Sequence, residues 1–282
     1  LHYHYPRTEN GIEDIDLLFE SIPDTLSQLI RTALIPEPGA RFIVADFSAI
    51  EARVISWFAR EEWRLRVFET HGKIYEASAS QMFNVPIETI AKGQPNYELR
   101  QKGKIAELAL GYGGAAGALE AMGALKKGLT KDELPGLVKM WRAANPKITD
   151  FWWAVGDAAL EAVADKQTTR THGLTFTAES GFLFIELPSG RRLAYARHRV
   201  APGKFDKPAL SYEGMEQGKK IWGRVDTYGP KLVENIVQAT ARDLLAHAML
   251  KLAEAGYKPV FHVHDEVILE AYDGSLEEVQ RI

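Results

Sequence analysis

The chain has no cysteine among its 282 residues, which excludes disulfides and thiolate metal sites and fits a reducing compartment. Any metal must be held by oxygen or nitrogen. It also has no apolar run approaching the roughly 20 residues needed to span a bilayer, and Leu1 to Arg7 lack the apolar core of a secretory signal. A strong excess of either charge is missing too. The net charge of −4 and pI near 6.1 weigh mildly against nucleic acid as a partner, because duplex binding is driven by neutralised phosphates. No internal repeat or low-complexity tract is visible. A soluble, cytoplasmic protein with no membrane partner is expected.

What the chain does have is apolar content and unevenly placed charge. With 46% hydrophobic and 26% charged residues it can build a substantial core and two lobes. Cations cluster at Arg100, Lys102 and Lys104 and again at Arg191, Arg192, Arg197 and Arg199, while acids gather from Glu9 to Glu20 and from Glu266 to Glu278. Such asymmetry can override a near-neutral total.

Pro36-Glu37-Pro38-Gly39 reads as a turn before a first strand, Arg41 to Ala45. Ile50, Val54, Trp57 and Phe58 then follow the helical period, predicting a helix from about Ser48 to Arg60. Further helices are expected over Lys73 to Phe83, Asn96 to Gly111, and Lys131 to Ala164 with a break at Asn145-Pro146. Short β-like runs follow at Thr168 to Thr177, Phe182 to Leu187 and Arg192 to Ala196, the last two joined by a Pro188-Ser189-Gly190 turn. A helix of about Lys231 to Ala255 leads into strands Tyr257 to Val263 and Val267 to Ala271 around Asp265-Glu266.

Three constellations carry chemistry. In the first, Asp46 follows a buried-looking strand, where a carboxylate costs desolvation unless paired or metal-bound; Ser48 and Glu51 behind it have the spacing of a helix capping box, a purely structural account. The second is Arg100, Lys104, Leu108 and Tyr112, each four residues after the last, so successive members rotate by about 40° and share one broad helix face. Arg100 and Lys104 would repel unless an anion such as a triphosphate lay along them; the plainer reading is an exposed basic stripe. The third is His262-Val263-His264-Asp265-Glu266, where strand alternation would place both histidines on one face and the turn would free both acids toward a cation. That string also leaves a zinc hydrolase open, as well as a plain polar turn. Carboxylates from one strand end and one turn can converge on a sheet edge and suit Mg²⁺, pointing to phosphoryl transfer. Gly190-Arg191-Arg192 could present guanidinium groups to phosphates or lie solvated on the surface.

In this order the segments resemble the family A DNA polymerases. Asp46 to Arg53 is similar to the family's motif A, Arg100-x-x-x-Lys104-x-x-x-Leu108-x-x-x-Tyr112-Gly113 to motif B, and His264-Asp265-Glu266 to motif C. Ile74 to Pro86 resembles the fingers segment, and Leu187 to Leu193 the Gly-Arg-Arg segment. The phrasing is of a phage or prophage type. The resemblance implies an α+β chain: an antiparallel palm sheet with helices, plus helical fingers. The expected division is residues 1–60 as the N-terminal part of the palm with motif A, 61–180 as fingers with motif B, and 181–282 as palm with motif C. It implies template-directed DNA synthesis from deoxynucleoside triphosphates on primer-template DNA in a bacterial or phage-infected cell. Two Mg²⁺ ions, or Mn²⁺ in their place, would be held by Asp46 and Asp265 with the Phe47 carbonyl, and supported by Glu266. Glu51 would be the gate against a 2′-hydroxyl; Arg100 and Lys104 would bind the triphosphate, Lys104 protonating the leaving group; Tyr112 would pack near the templating position. Arg53, Arg191, Arg192, Gln238 and His264 would contact DNA.

The sequence departs from the family pattern at Leu108, where an aromatic is usual, and at Pro230 and Glu234, where an Arg and an Asn precede the glutamine. Nothing resembles a thumb or an exonuclease, which implies a fragment of a larger polymerase or a minimal one, working with other polymerase segments or replication proteins. A metal-dependent nuclease and a binding-only fragment are the alternative functions.

Overall fold

The computed structural model describes residues 21–202, 208–216 and 220–282; the acidic stretch from Glu9 to Glu20 and the segment Leu1 to Arg7 lie outside the described residues. The described residues form two compact units, one of residues 21–46 with His247–Ile282, the other of Phe47–Ala246.

In the first unit, helix α1 (Ile22–Leu29) is followed by the expected turn. The Ala40 amide donates to the Glu37 carbonyl at 2.9 Å, and Gly39 takes φ 86°, a conformation a side chain would resist. Strand β1 (Arg41–Asp46) runs one residue further than expected. It pairs antiparallel with β9 (Glu266–Ala271), which pairs in turn with β8 (Lys258–Val263). Ile43 lies opposite Leu269, and both are buried. Alternation then places Val44 and Asp46 on the other face. Helix α10 (Leu276–Arg281) packs beside β1 and is capped by the Ser275 hydroxyl, which accepts from the Glu278 amide.

The second unit is built on helices. These are α2 (Ile50–Ala59), α3 (Glu62–Thr70), α4 (Ile74–Phe83), α5 (Leu99–Leu110), α6 (Ala116–Ala121), α7 (Leu134–Ala144) and α8 (Pro146–Ala164). The long helix α9 (Gly229–Glu254) gives its residues up to Ala246 to this unit and the rest to the other. Asn145-Pro146 makes the expected break, with proline at the first position of α8, where its missing N–H costs nothing. Large aromatics hold the core: Trp141 stacks on Trp152 with centroids 6.0 Å apart, and Phe58 on Phe151 at 5.6 Å. The core continues onto Leu174, Phe176, Leu183 and Ile185 of a six-stranded antiparallel meander.

That meander departs from the sequence expectation. The run Thr168 to Thr177 is two strands, β2 (Thr169–Thr171) and β3 (Leu174–Glu179), joined at His172-Gly173. Both turn residues have positive φ, 49° and 77°, as a two-residue hairpin matched to strand twist requires. Ser180-Gly181 repeats the device before β4 (Phe182–Glu186), with φ 50° and 79°. The turn at Pro188-Ser189-Gly190 forms as expected, but β5 continues from Arg192 to Pro202, well beyond Ala196. Strands β6 (Pro208–Glu216) and β7 (Ile221–Thr227) had no clear apolar alternation, because glycines and charges interrupt them. Cross-strand pairing stabilises them instead: Glu213 accepts from Arg197 at 3.0 Å and from Arg224 at 3.1 Å.

Candidate active site: a carboxylate hairpin and a cationic helix face

Strand register builds one candidate group, in the unit that holds β1, β8 and β9. Asp46 is paired directly with Glu266, the residue after Asp265 in the tight turn between β8 and β9. Like charges placed opposite one another are destabilising in a bare sheet. Asp46 is exposed, not buried as its strand suggested, so the expected desolvation cost is small. Even so its pKa is raised, first by partial desolvation and then by the Asp265 carboxylate. Two acids close enough to disturb each other, with accessible oxygens, fit a hard divalent cation. Among the described residues no group of three or more His, Cys, Asp or Glu forms a metal cage. That donor set suits Mg²⁺, which is commonly held by one or two carboxylates plus substrate phosphates.

The histidines behave differently from the alternation argument. His262 lies on β8, but His264 is in the turn, exposed, with φ 53°, so strand alternation ends at Val263 and does not set a common face. The zinc-site reading therefore gains no support from side-chain placement among the described residues.

A separate candidate group lies in the unit Phe47–Ala246. The capping box does not form: Ala49 is the N-cap of α2, in the left-handed region at φ 53°, and no side chain caps the helix. Glu51 instead accepts a hydrogen bond from the Tyr112 hydroxyl at 2.7 Å. Burial and then the Glu51 charge push the Tyr112 pKa up, so the phenol stays protonated and donates. Phe47 is partly buried against the core of this unit.

Arg100, Lys104 and Leu108 share an open face of α5; Lys104 and Leu108 are exposed and Arg100 is half-buried. Two α4 residues that the motif reading missed relieve the expected repulsion. Glu76 accepts from Arg100 Nε at 2.7 Å, and the Tyr75 ring lies 5.7 Å from both cationic groups. The helices meet this closely because Gly103 has no side chain: a Cβ there would sit 2.3 Å from the Tyr75 carbonyl oxygen.

The expected DNA contacts are engaged within the protein to different degrees. Arg53 donates to the Ser48 carbonyl at 2.8 Å and stacks on Phe68. Arg191 pairs with Asp243 at 2.6 Å and donates to the Ala239 carbonyl, which fastens the hairpin to α9. Arg192 pairs with Glu179 and covers Phe184, whereas Gln238 is exposed on α9.

A third group was not anticipated. Arg64 on α3 is 1% exposed and is held by Glu107 of α5, Ser56 of α2 and Asn145. One signal for it was available: Gly103, Glu107 and Leu110 follow the helical period of a buried stripe, so a charge there requires a buried partner.

The carboxylate hairpin of one unit suits a hard cation and the α5 face of the other suits a polyanion, each a feature found in proteins that handle polyphosphates. The family profile described as DNA polymerase family A matches residues 16–172, and the chain belongs to that family. It is 61% identical over 268 residues to a DNA polymerase of Bacillus phage SP02, covering 94% of this chain and 41% of that protein. It is 26% identical over 292 residues to the thermostable DNA polymerase I of Thermus aquaticus, covering 100% of this chain and 29% of the relative. The chain therefore spans well under half of the curated relatives it matches. Among solved structures, the POL domain of Pol1 from M. smegmatis, in complex with DNA primer-template and dNTP, aligns with a TM-score of 0.57 at 21% identity. The alignment covers 98% of this chain and 39% of that one. The mixed helix and antiparallel-sheet fold is thus that of a polymerase domain. Among the described residues, no helix is long and apolar enough to cross a membrane.

Proposed function

We propose that this chain carries the nucleotidyl-transfer site of a DNA-directed DNA polymerase, adding deoxynucleotides from dNTPs to a primer 3′-hydroxyl on a template. The observation that carries the reading is the register of Asp46 opposite Glu266 with Asp265 beside it, within a chain of this family. Asp46 and Asp265 would hold two Mg²⁺ ions, or Mn²⁺ in their place, with help from the Phe47 carbonyl and support from Glu266. Bound ions would lower the pKa of the attacking hydroxyl and neutralise charge on the departing pyrophosphate.

The protein's own residues bind, orient and exclude. Arg100 and Lys104 offer charge-assisted donors along one helix face to a triphosphate, and Lys104, the more exposed, would give a proton to the leaving group. Glu51, fixed by Tyr112, would close the space a 2′-hydroxyl needs. Leu108 would cover the sugar and base. Arg53, Arg191, Arg192, Gln238 and His264 would meet DNA, the two hairpin arginines by exchanging carboxylate partners for phosphates. Residues 1–60 and 181–282 would form palm and 61–180 fingers, acting with further polymerase segments or replication proteins in the cytoplasm.

Extension of a labelled primer with Mg²⁺, comparing deoxy- and ribonucleotides, tests the reading. Template-dependent deoxynucleotide addition that Asp46→Ala and Asp265→Ala abolish is the expected result. Retained incorporation in either variant would end the assignment, degradation of the labelled strand would favour a nuclease, and a gel shift without extension would favour a binding-only piece.

A further inference from the structure

Two charged groups buried in the second unit, Arg64 and the Glu107 carboxylate, do no chemistry in the proposed function. Arg64 and the Glu107 side chain are 1% and 4% exposed. Their contact is a two-pronged fork, with Arg64 Nη1 donating to Glu107 Oε1 at 2.8 Å and Nη2 to Oε2 at 2.5 Å. The remaining groups are satisfied as well. Arg64 Nε donates to Ser56 Oγ at 2.8 Å and Nη1 also to Asn145 Oδ1 at 3.0 Å; Trp141 Nε1 donates to Glu107 Oε1 at 2.9 Å; Asn145 Nδ2 donates to the Trp141 carbonyl at 2.8 Å. Helices α2, α3 and α5 and the α7–α8 junction meet at one guanidinium.

Stability alone is a weak reason for such a group. A buried ion pair seldom outperforms well-packed apolar side chains of the same volume, and its best-attested use is to specify one arrangement among several. Glu107 lies on α5 between Lys104 and Leu108. At 100° per residue it points about 60° from Lys104 and 100° from Leu108, toward the core side of the same turn. A planar fork there resists rotation and sliding of α5 together. On a helix whose side chains reach about 5–6 Å from the axis, a turn of roughly 20° would move the Arg100 and Lys104 tips by about 2 Å. Displacements of about 1 Å in positioning groups can already cost a hundredfold. Tyr112, expected to share that face, lies in the turn after Leu110 against the core and is tied separately to Glu51.

We propose that Arg64 and Glu107 are positioning residues that set the rotation of α5, and thereby the grip of Arg100 and Lys104 on the triphosphate of an incoming dNTP. This rests on the polymerase reading. The test replaces the fork by packing, in the double variant R64M/E107L of the full chain. Binding of the next correct dNTP with Mg²⁺ is followed by calorimetry on a primer-template whose primer ends in a dideoxynucleotide, so that no turnover is needed; melting temperature and primer-template affinity are measured in parallel.

The expected result is dNTP binding weakened by about ten- to a hundredfold, with melting and DNA affinity unchanged. R64K, which keeps the charge but not the fork, should not restore it. If R64M/E107L does not fold, Glu107→Gln, which keeps the shape and loses the charge, decides by the same dNTP measurement. Either folded variant binding dNTP as the wild type does would overturn this inference and leave the polymerase reading standing. Wild-type protein that binds DNA but no dNTP would overturn that reading, and this inference with it.

Discussion

The carboxylate hairpin and the α5 face are positioned by different physics. Strand register is quantised: slipping β9 by one residue against β1 would turn every side chain to the opposite face and carry Glu266 and Glu270 onto the face where Ile43, Val267 and Leu269 are buried. The apolar core therefore enforces the pairing of Asp46 with Glu266, and no buried polar group is needed beneath it. Helix rotation is continuous. Gly103, Ala106 and Leu110 could settle against their neighbours over a range of angles, and the buried Arg64–Glu107 fork selects one. An active site assembled on a sheet edge can thus rest on hydrophobic pattern alone, whereas one on a helix face requires directional contacts.

The largest expected effect separates the chemistry of the hairpin from its stability. Asp46→Asn and Asp265→Asn should each lower primer extension by roughly a thousandfold, since a bound metal supplies several kcal/mol of charge stabilisation and each 1.4 kcal/mol is tenfold. Neither should lower the melting temperature, because the register is set by Ile43, Val267 and Leu269. A drop in melting temperature matching the loss of activity would show that the acids are part of the scaffold, and the contrast with α5 would fail.

On the helix side, Gly103→Ala should destabilise by about 1–3 kcal/mol, as an overpacked contact does. Better helix propensity of about 1 kcal/mol does not compensate for a Cβ placed 2.3 Å from a backbone carbonyl. Gly136, inside α7, has open space around it. Gly136→Ala should therefore stabilise by about 0.5–1 kcal/mol. Urea titrations of both variants check the pair, and equal signs would mean that α4 and α5 are not in close contact.

A smaller effect is expected in the turn just beyond α5. Tyr112→Phe removes the donor to Glu51 and should cost about 1 kcal/mol, the typical net value of a hydrogen bond. With Glu51 released, discrimination against ribonucleotides should weaken more than deoxynucleotide incorporation does. Extension with each nucleotide by the Tyr112→Phe protein measures both; unchanged selectivity would show that the hydrogen bond does not hold the gate.

Much of this was legible in the order of residues, and the reasons differ by element. The turn at Glu37–Ala40, the break at Asn145-Pro146 and the β8–β9 hairpin rest on local chemistry, in which proline, glycine and apolar runs each leave a signature. The capping box failed because Ser48 and Glu51 had a stronger alternative: the chain turns at Ala49, and Glu51 finds Tyr112, sixty-one positions away. Strands β6 and β7 escaped notice because their pairing energy lies in Arg197, Glu213 and Arg224 across strands, and a single-strand pattern does not record that. The Arg64–Glu107 fork was hidden for the same reason, although Glu107 inside a buried stripe marked half of it.

The smallest expected effect concerns the protonation of Asp46. Its pKa in the folded chain is raised above the ordinary 3.8, so between the unfolded and folded values the native state holds more protons than the unfolded one. Stability linked to this group is therefore greatest at low pH, falls as pH rises through that window, and stays lower above it. Asp46→Asn should melt slightly above the wild type at pH 7, and the gap should close at and below pH ~3.8. Because Asp46 is exposed, the difference is small and screened by salt. Magnesium should raise the wild-type melting temperature at pH 7 and leave Asp46→Asn nearly unmoved. Equal responses of the two proteins to Mg²⁺ would show that the Asp46–Asp265 repulsion is not what a cation relieves.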